Sequence, residues 1–408
     1  MKYIFLGCFL PDAIYPAIVK NSKGSVSNAA DALQKSFVEG LSEALDNFSI
    51  LNFPSIGMWP KTYRKLFFHQ YNYTYVTHKG KNLPCINPGF LNLYMYSRHD
   101  IDVKAQQNIG KIVESSDETV CVFVYAIMPR TMHACYKIKK KYGDKVRFVL
   151  IVPDLPEYQG VRKHYLQEVL LKRRQRNYDI YYHAFDGFIF LTKYMADRIP
   201  VGRRPWTVIE GIYNFKDDVS AFAREDLDNT KSVFYSGTLD ERFGIMNLVD
   251  AFCMTSNSNY RLVLCGAGDT VEKIKEKAKL DNRINYLGQL PRSEVLRKQR
   301  EATLLVNPRT PEGEFTKYSF PSKTMEYLAS GVPTLIYSLP GIPDEYLNYC
   351  FHLEEMGVDA LYSKIEEIFN ADDCVLAELG TRARDFIITN KNPYKQCARV
   401  RDIINNWL

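Results

Sequence analysis

Residues 318–333 read Tyr318-Ser319-Phe320-Pro321-Ser322-Lys323-Thr324-Met325-Glu326-Tyr327-Leu328-Ala329-Ser330-Gly331-Val332-Pro333. A short apolar run, Thr303–Val306, lies before them and ends in Asn307-Pro308-Arg309; another, Pro333–Tyr337, closes the stretch. A buried strand, a helix over Ser322–Ser330 and a second buried strand make a parallel βαβ unit. Ser322 has the side chain of an N-cap, and the free N–H groups of a first helical turn form an anion site. Lys323 adds a full positive charge where the helix dipole disfavours one. Glu326 lies one turn on, on the side of Ser322 or Lys323. A capping box, with Glu326 closing its own helix end, accounts for Ser322 and Glu326 but leaves Lys323 unexplained. A phosphate on this turn, with Glu326 accepting hydrogen bonds from ribose hydroxyls, gives Lys323 a purpose.

The same alternation extends upstream. Ser232–Ser236, Arg261–Cys265 and Ile284–Tyr286 read as strands, with helices at Ile245–Met254 and Thr270–Lys279. In the first half the strand candidates are Tyr3–Phe9, Phe48–Phe53, Thr119–Ile127, Val146–Val152 and Gly187–Thr192. Helical patterns at Ser27–Leu45, Asp102–Glu114, Pro129–Tyr142 and Gly160–His183 separate them. Nearly continuous apolar strands alternating with helices imply α/β structure with parallel sheets buried on both faces. With 408 residues and roughly 100–200 residues per domain, two doubly wound domains facing a cleft are expected. The junction falls near Thr207–Asp218, giving domains over 1–206 and 207–390. A terminal helix over 391–408 is expected to cross back onto the first domain.

Composition sets limits. No apolar run reaches the roughly 18 residues of a membrane span. The opening Met1–Leu10 reads as a first strand rather than a signal peptide, because Pro11-Asp12 ends it and no small-residue cleavage site follows. The nine cysteines are scattered with no CxxC or zinc-ligand spacing, as in a reduced cytoplasmic protein. Charge is uneven. Residues 1–205 carry 29 Lys and Arg against 17 Asp and Glu, a net +12; residues 206–408 carry 24 against 30, a net −6. A basic front half points to an anionic partner. Nucleic acid is not expected, since no recognition motif accompanies the charge.

Ligands of open α/β sheets bind beyond the carboxyl ends of the strands. Three further segments end strands in the second half. Tyr235-Ser236-Gly237-Thr238-Leu239-Asp240-Glu241-Arg242-Phe243-Gly244 offers glycines that let backbone approach a ligand and an Arg242 suited to bidentate phosphate binding; alone it is equally a tight turn. Cys265-Gly266-Ala267-Gly268-Asp269 is a partial GxG, weak on its own. Asn307-Pro308-Arg309 places another cation at a strand end.

Together these segments resemble the family-four retaining glycosyltransferases, of group 1 type, which adopt the GT-B fold of two Rossmann-like domains. Lys323 to Pro333 is similar to the family's Glu-Ala-Met-Ala-x-Gly-x-Pro run, with Glu326 as its second glutamate. Tyr235–Gly244 resembles its G-x-L-x-x-x-x-G segment, Phe185–Gly211 the stretch closing the first domain, and Gly24–Leu45 the glycine loop and first helix. The resemblance implies sugar transfer, with retention, from a nucleoside diphosphate sugar, UDP-sugar favoured, as co-substrate. No cofactor or metal is implied. Arg242 and Lys323 would bind the diphosphate and Glu326 the ribose; Gly24, Gly237, Gly266, Gly268, Arg309, Tyr318, Ser319, Pro321 and Ser322 would line the donor. Two departures bear on this. Thr238 and Phe243 stand where the family often has Arg and Lys, and Tyr318 stands at the family's first glutamate, with Glu312 and Glu314 nearby.

On the acceptor side, Asp154 in Val152-Pro153-Asp154 ends a strand and either orients the acceptor hydroxyl or caps a turn. Asn28 and His133 are further acceptor candidates, against the commoner case of a structural histidine. Asp100-Ile101-Asp102 is a DxD, but it follows no strong strand. Lys61–Lys81, with six aromatics, and Arg162–His183 mix basic and aromatic residues, as a membrane interface does. Either stretch alone also fits an ordinary amphipathic surface. The expectation is a cytoplasmic protein that meets the inner membrane face peripherally and glycosylates a glycan or lipid-linked saccharide. A nucleotide-sugar epimerase would need acid/base carboxylates and no acceptor. An inactive binding subunit would have no need to keep Arg242, Lys323 and Glu326 together.

Overall fold

The computed structural model describes residues 1–24, 28–94, 96–158, 177–213, 230–405 and 407. Two units divide the chain: Met1–Asn214 with Pro393–Leu408, and Phe215–Asn392.

In the first unit the strands are β1 Lys2–Gly7, β2 Phe48–Asn52, β3 Phe67–Phe68, β4 Tyr71–Val76, β5 Asn82–Asn87, β6 Phe90–Leu91, β7 Val120–Tyr125, β8 Val146–Val152, β9 Gly187–Phe190 and β10 Trp206–Val208. Eight of them form one sheet in the order β10-β9-β8-β7-β1-β2-β5-β4. All neighbours pair parallel except β4, which adds antiparallel to β5 at the edge. β3 and β6 form a separate antiparallel pair. Every side chain of β7 is buried, as expected of a parallel strand covered by helices on both faces.

The stretch Lys61–Lys81, which its composition presents as an aromatic and basic surface, contains β3 and β4. β4 alternates exposed and covered positions, the mark of an edge strand with one wet face. The helix expected to begin at Asp102 begins earlier and spans Tyr96–Glu114. Most of Gly160–His183 lies outside the described residues; within it, residues 177–182 are helical.

The chain end, Pro393–Leu408, forms two short helices, Pro393–Ala398 and Val400–Asn405, rather than one continuous helix. Cys397, Val400, Ile403 and Ile404 join the core of the first unit with Phe37, Val38 and Leu41 of helix Asn28–Ala44. Gly40 makes that approach possible. A Cβ there would overlap the Pro393 carbonyl and the Cys397 side chain.

The second unit holds β11 Lys231–Thr238, β12 Tyr260–Ala267, β13 Ile284–Tyr286, β14 Leu304–Asn307, β15 Thr334–Tyr337 and β16 Phe351–Leu353. They form one parallel sheet in the order β13-β12-β11-β14-β15-β16. From β11 the chain moves outward to β12 and β13, then returns to the other side of β11 with β14. The loops after β11 and β14 therefore part from one another, and such a switch point is where open parallel sheets bind ligands. In the first unit the same reversal falls between β1 and β7. All nine cysteines are free. Among the described residues no helix is long and apolar enough to cross a membrane.

Candidate active site

The carboxyl edge of the second sheet gathers three of the segments singled out in the sequence. β11 and β12 end side by side, with Gly237 paired to Gly266. Both glycines have positive φ, and a Cβ on Gly266 would overlap the Gly237 carbonyl oxygen. These two positions therefore require glycine, and they leave the strand ends as bare backbone. Gly268 packs as closely on the Leu239 carbonyl.

Lys323 stands in the first turn of helix Ser322–Ala329. Its Nζ donates to Glu326 Oε1 at 2.9 Å and to Ser236 Oγ at 3.2 Å, which ties the helix start to the end of β11. Tyr327, fully buried, reinforces that tie by accepting at its hydroxyl from the Ser236 N–H at 3.0 Å. Glu326 collects two more donors: Gln299 Nε2 at 2.6 Å on Oε1, and Arg292 Nη1 at 3.0 Å on Oε2. Burial raises the pKa of this carboxyl. The charges of Lys323 and Arg292 and the hydrogen bonds from Gln299 and Lys323 outweigh that and bring it down to about 2. Glu326 is thus an anion at neutral pH. A carboxylate accepts about four hydrogen bonds. Three are filled here, so Oε2 retains room for an incoming hydroxyl.

This geometry corrects the reading of Ser322 as the N-cap. Pro321, at φ −73° and ψ 107°, is the cap residue; Ser322 is the first residue inside the helix, and no side chain caps the end. Nor does Glu326 close a capping box. All three of its bonds go to side chains, two of them on helix Arg292–Glu301.

Two further cations flank the switch point. Arg242, after β11, is largely exposed; its guanidinium lies 4.7 Å from the Phe243 ring centroid, and its Nε is 3.5 Å from Asp240. Arg309, after β14, is held more firmly. It lies over Phe243 at 5.7 Å and Phe315 at 4.9 Å, and its Nη2 donates to Ser319 Oγ at 2.8 Å. Its Nε is buried without a partner among the described residues. Burial, followed by the charge of Arg242, lowers its pKa to about 10, so it stays protonated. Tyr318, at the family's first-glutamate position, is buried, and its hydroxyl donates to Glu314 at 3.4 Å. Pro321 is buried and Ser322 exposed at the helix start.

Gln299, Arg292, Ser236 and Tyr327 belong to this cluster and were not singled out from sequence. A signal for two of them exists. Arg292, Val295 and Gln299 share one helix face, and Gln299 is a fully buried polar residue there.

The acceptor candidates lie in the first unit. Asp154 follows β8 and is exposed, yet the protein packed behind it desolvates its carboxyl and pushes its pKa up. His133 Nδ1 lies 2.6 Å from Asp102 Oδ2, and Asp102 also accepts from Gln106. Asp100 accepts from the Leu91 N–H and pairs with Lys104. Both carboxylates of the DxD are thereby engaged within the fold. Gly24 is exposed with open space around it; residues 25–27 and the Asn28 side chain lie outside the described part.

Two doubly wound parallel sheets are the fold of the GT-B glycosyltransferases, and solved structures of that class match the chain end to end. Sucrose-phosphate synthase from Thermosynechococcus elongatus superposes with TM-score 0.66 at 14% identity, covering 100% of this chain and 99% of that one. The N-terminal domain of Candida albicans trehalose-6-phosphate phosphatase gives 0.67 at 11% identity, covering 100% and 97%. Anabaena Alr3699/HepE, solved in complex with UDP, gives 0.63 at 13% identity, covering 100% of both chains. No sequence match to a curated protein was found. Residues 219–386 match the family described as Glycosyl transferases group 1. The group 1 match thus lies in the second unit, and the chain as a whole has the GT-B fold.

Proposed function

We propose that the protein transfers a sugar, with retention of anomeric configuration and without a metal ion, from a nucleoside diphosphate sugar to a glycan or lipid-linked saccharide. The observation that carries this reading is the Lys323–Glu326 pair: a first-turn cation held by a carboxylate whose remaining acceptor site is open. The diphosphate would sit on the start of helix Ser322–Ala329 and against the bare ends of β11 and β12. As the sugar departs with cationic character, negative charge grows on the diphosphate; Lys323, Arg242 and Arg309 are cations already in place to stabilise it. Glu326 Oε2 would accept from a ribose hydroxyl. A UDP-sugar is the favoured donor, supported by the Anabaena structure that holds UDP and by an E. coli neighbour solved with UDP-2-fluoro glucose.

Asp154, at a strand end of the first unit with a raised pKa, is proposed to orient the acceptor hydroxyl. The proposed setting is the cytoplasm, at the inner membrane face when the acceptor is lipid-linked. Exposed Phe67, Tyr94 and Tyr96, with Lys61, Arg64 and Lys65, supply an aromatic and basic surface for that contact. A screen of UDP-, GDP-, dTDP- and ADP-sugars for donor hydrolysis tests the central reading. Release of nucleoside diphosphate from at least one donor is expected; release from none would contradict it.

A further inference from the structure

The first unit has its own switch point, between β1 and β7, and none of the proposed donor contacts uses it. The chain leaves β7 through Ala126, at φ 68°, and enters helix Pro129–Tyr142. Helix Tyr96–Glu114 packs beside it and runs the same way. Asp102 meets His133 near one end, and Glu114 meets Lys141 and Tyr142 near the other. Both first turns therefore lie at the same end, where the dipoles of the two helices add. Neither first turn contains an acidic residue. Each carries an arginine instead, Arg98 on one helix and Arg130 on the other, about one turn before the Asp102–His133 bond.

These positions are unfavourable for cations unless something answers them. Burial, followed by the charge of Arg98, pushes the Arg130 pKa down. Arg130 Nε is buried and has no hydrogen-bond partner among the described residues; its Nη2 reaches the Met128 sulfur at 3.6 Å. The Cys8 thiol, just past β1, also acts on Arg130, but burial raises that thiol to about 11 and leaves it uncharged at neutral pH. The nearest carboxylates on the neighbouring helix, Asp100 and Asp102, are engaged by Lys104 and the Leu91 N–H, and by His133 and Gln106. A half-buried arginine whose enclosed Nε is an idle donor, beside a second arginine and two helix starts, fits an anion with several acceptor oxygens.

We propose that Arg98 and Arg130 form a phosphate site at the switch point of the first unit, and that the acceptor carries the phosphate. The word acceptor rests on the glycosyl-transfer reading; the anion site does not. Phosphate groups occur on soluble sugar phosphates and on lipid headgroups alike, and the chemistry of the site is common to both.

The test uses the full chain with Lys323→Ala in the background, which removes the donor-side cation. Inorganic phosphate is titrated by calorimetry into this variant and into versions that also carry Arg98→Gln or Arg130→Gln. Saturable phosphate binding in Lys323→Ala, weakened about tenfold or more by each arginine substitution, supports the site. Binding lost with Lys323 alone, or unchanged by both arginine substitutions, overturns it. Arg98→Gln alters an exposed side chain, so the test survives if Arg130→Gln fails to fold; Arg130→Lys should restore part of the affinity. Glycerol phosphate and phosphatidylglycerol vesicles then distinguish a soluble from a lipid source: competition by the first alone marks a soluble acceptor, and arginine-dependent sedimentation with the second marks a lipid. Titration of wild type with UDP in the same series reports on the donor reading separately. Loss of UDP binding with phosphate binding intact would remove glycosyl transfer and leave the anion site standing.

Discussion

The two sheets place cations at their switch points in different ways. In the second unit the first-turn cation, Lys323, is matched at 2.9 Å by Glu326, which two further donors hold in its ionised form. In the first unit Arg98 and Arg130 occupy first turns with no carboxylate opposite them among the described residues. The difference is one of task. A cation paired to a carboxylate is fixed in place and joins phosphate recognition to hydroxyl recognition one turn later. A pair of unanswered arginines recognises charge alone. The first arrangement suits a nucleotide, which offers phosphate and ribose together; the second suits a bare phosphate.

Removing the matched cation should have the largest effect. Lys323→Ala is expected to lower kcat/KM for the donor about 100- to 1,000-fold, the cost of losing one preorganised charge at a developing anion. Steady-state kinetics with the best donor checks it, and a fall in kcat/KM below tenfold would break the contrast. Glu326→Gln should make the second site behave like the first. Inorganic pyrophosphate should bind this variant as well as wild type, while UDP binds about tenfold more weakly, because the ribose contact is lost. Equal losses for both ligands would show that Glu326 acts only through Lys323.

The next effect is on stability. The Glu326 carboxyl sits at about 2, below the ordinary 4.5. A depressed carboxylate contributes stability that is fully present above its unfolded pKa and is lost as pH falls from about 4.5 through about 2. The contribution is on the order of 3 kcal/mol. Arg292→Ala should bring acid unfolding of the second unit to higher pH, as followed by far-UV circular dichroism between pH 2 and 6. An unchanged midpoint would mean that Lys323 and Gln299 hold Glu326 unaided. The smallest effect is expected from the flanking arginines. Arg309→Met should weaken UDP more than Arg242→Ala does, because Arg309 is fixed between two rings and Ser319 while Arg242 stands in solvent. The reverse order would assign the diphosphate contact to the exposed side chain.

Much of this was legible in the residues alone. The parallel sheets showed in runs such as Val120–Tyr125, whose unbroken apolarity leaves no wet face, and Lys323 showed as a cation in the wrong turn. The N-cap falls one residue before Ser322 because Pro321 already supplies the extended backbone that a cap needs, and a serine after a proline fits either position. Gln299 and Arg292 escaped because they reach Glu326 from a separate helix, through packing that no local pattern encodes. The pairing of Arg98 with Arg130 escaped for the same reason: it depends on two helices running parallel with their starts at one level. Strand β4 escaped because its tyrosines and its charged flanks read as surface chemistry, although alternation along an edge strand produces the same composition.

The central claim is that Lys323 holds the donor's diphosphate on the start of helix Ser322–Ala329. Calorimetric titration of UDP into wild type and into Lys323→Ala, under one buffer and salt condition, tests it most directly. Saturable binding to wild type and at least about a tenfold loss in the variant are expected, with both proteins equally folded. Equal affinity for the two, or no binding of any nucleoside diphosphate to the wild type, would contradict it.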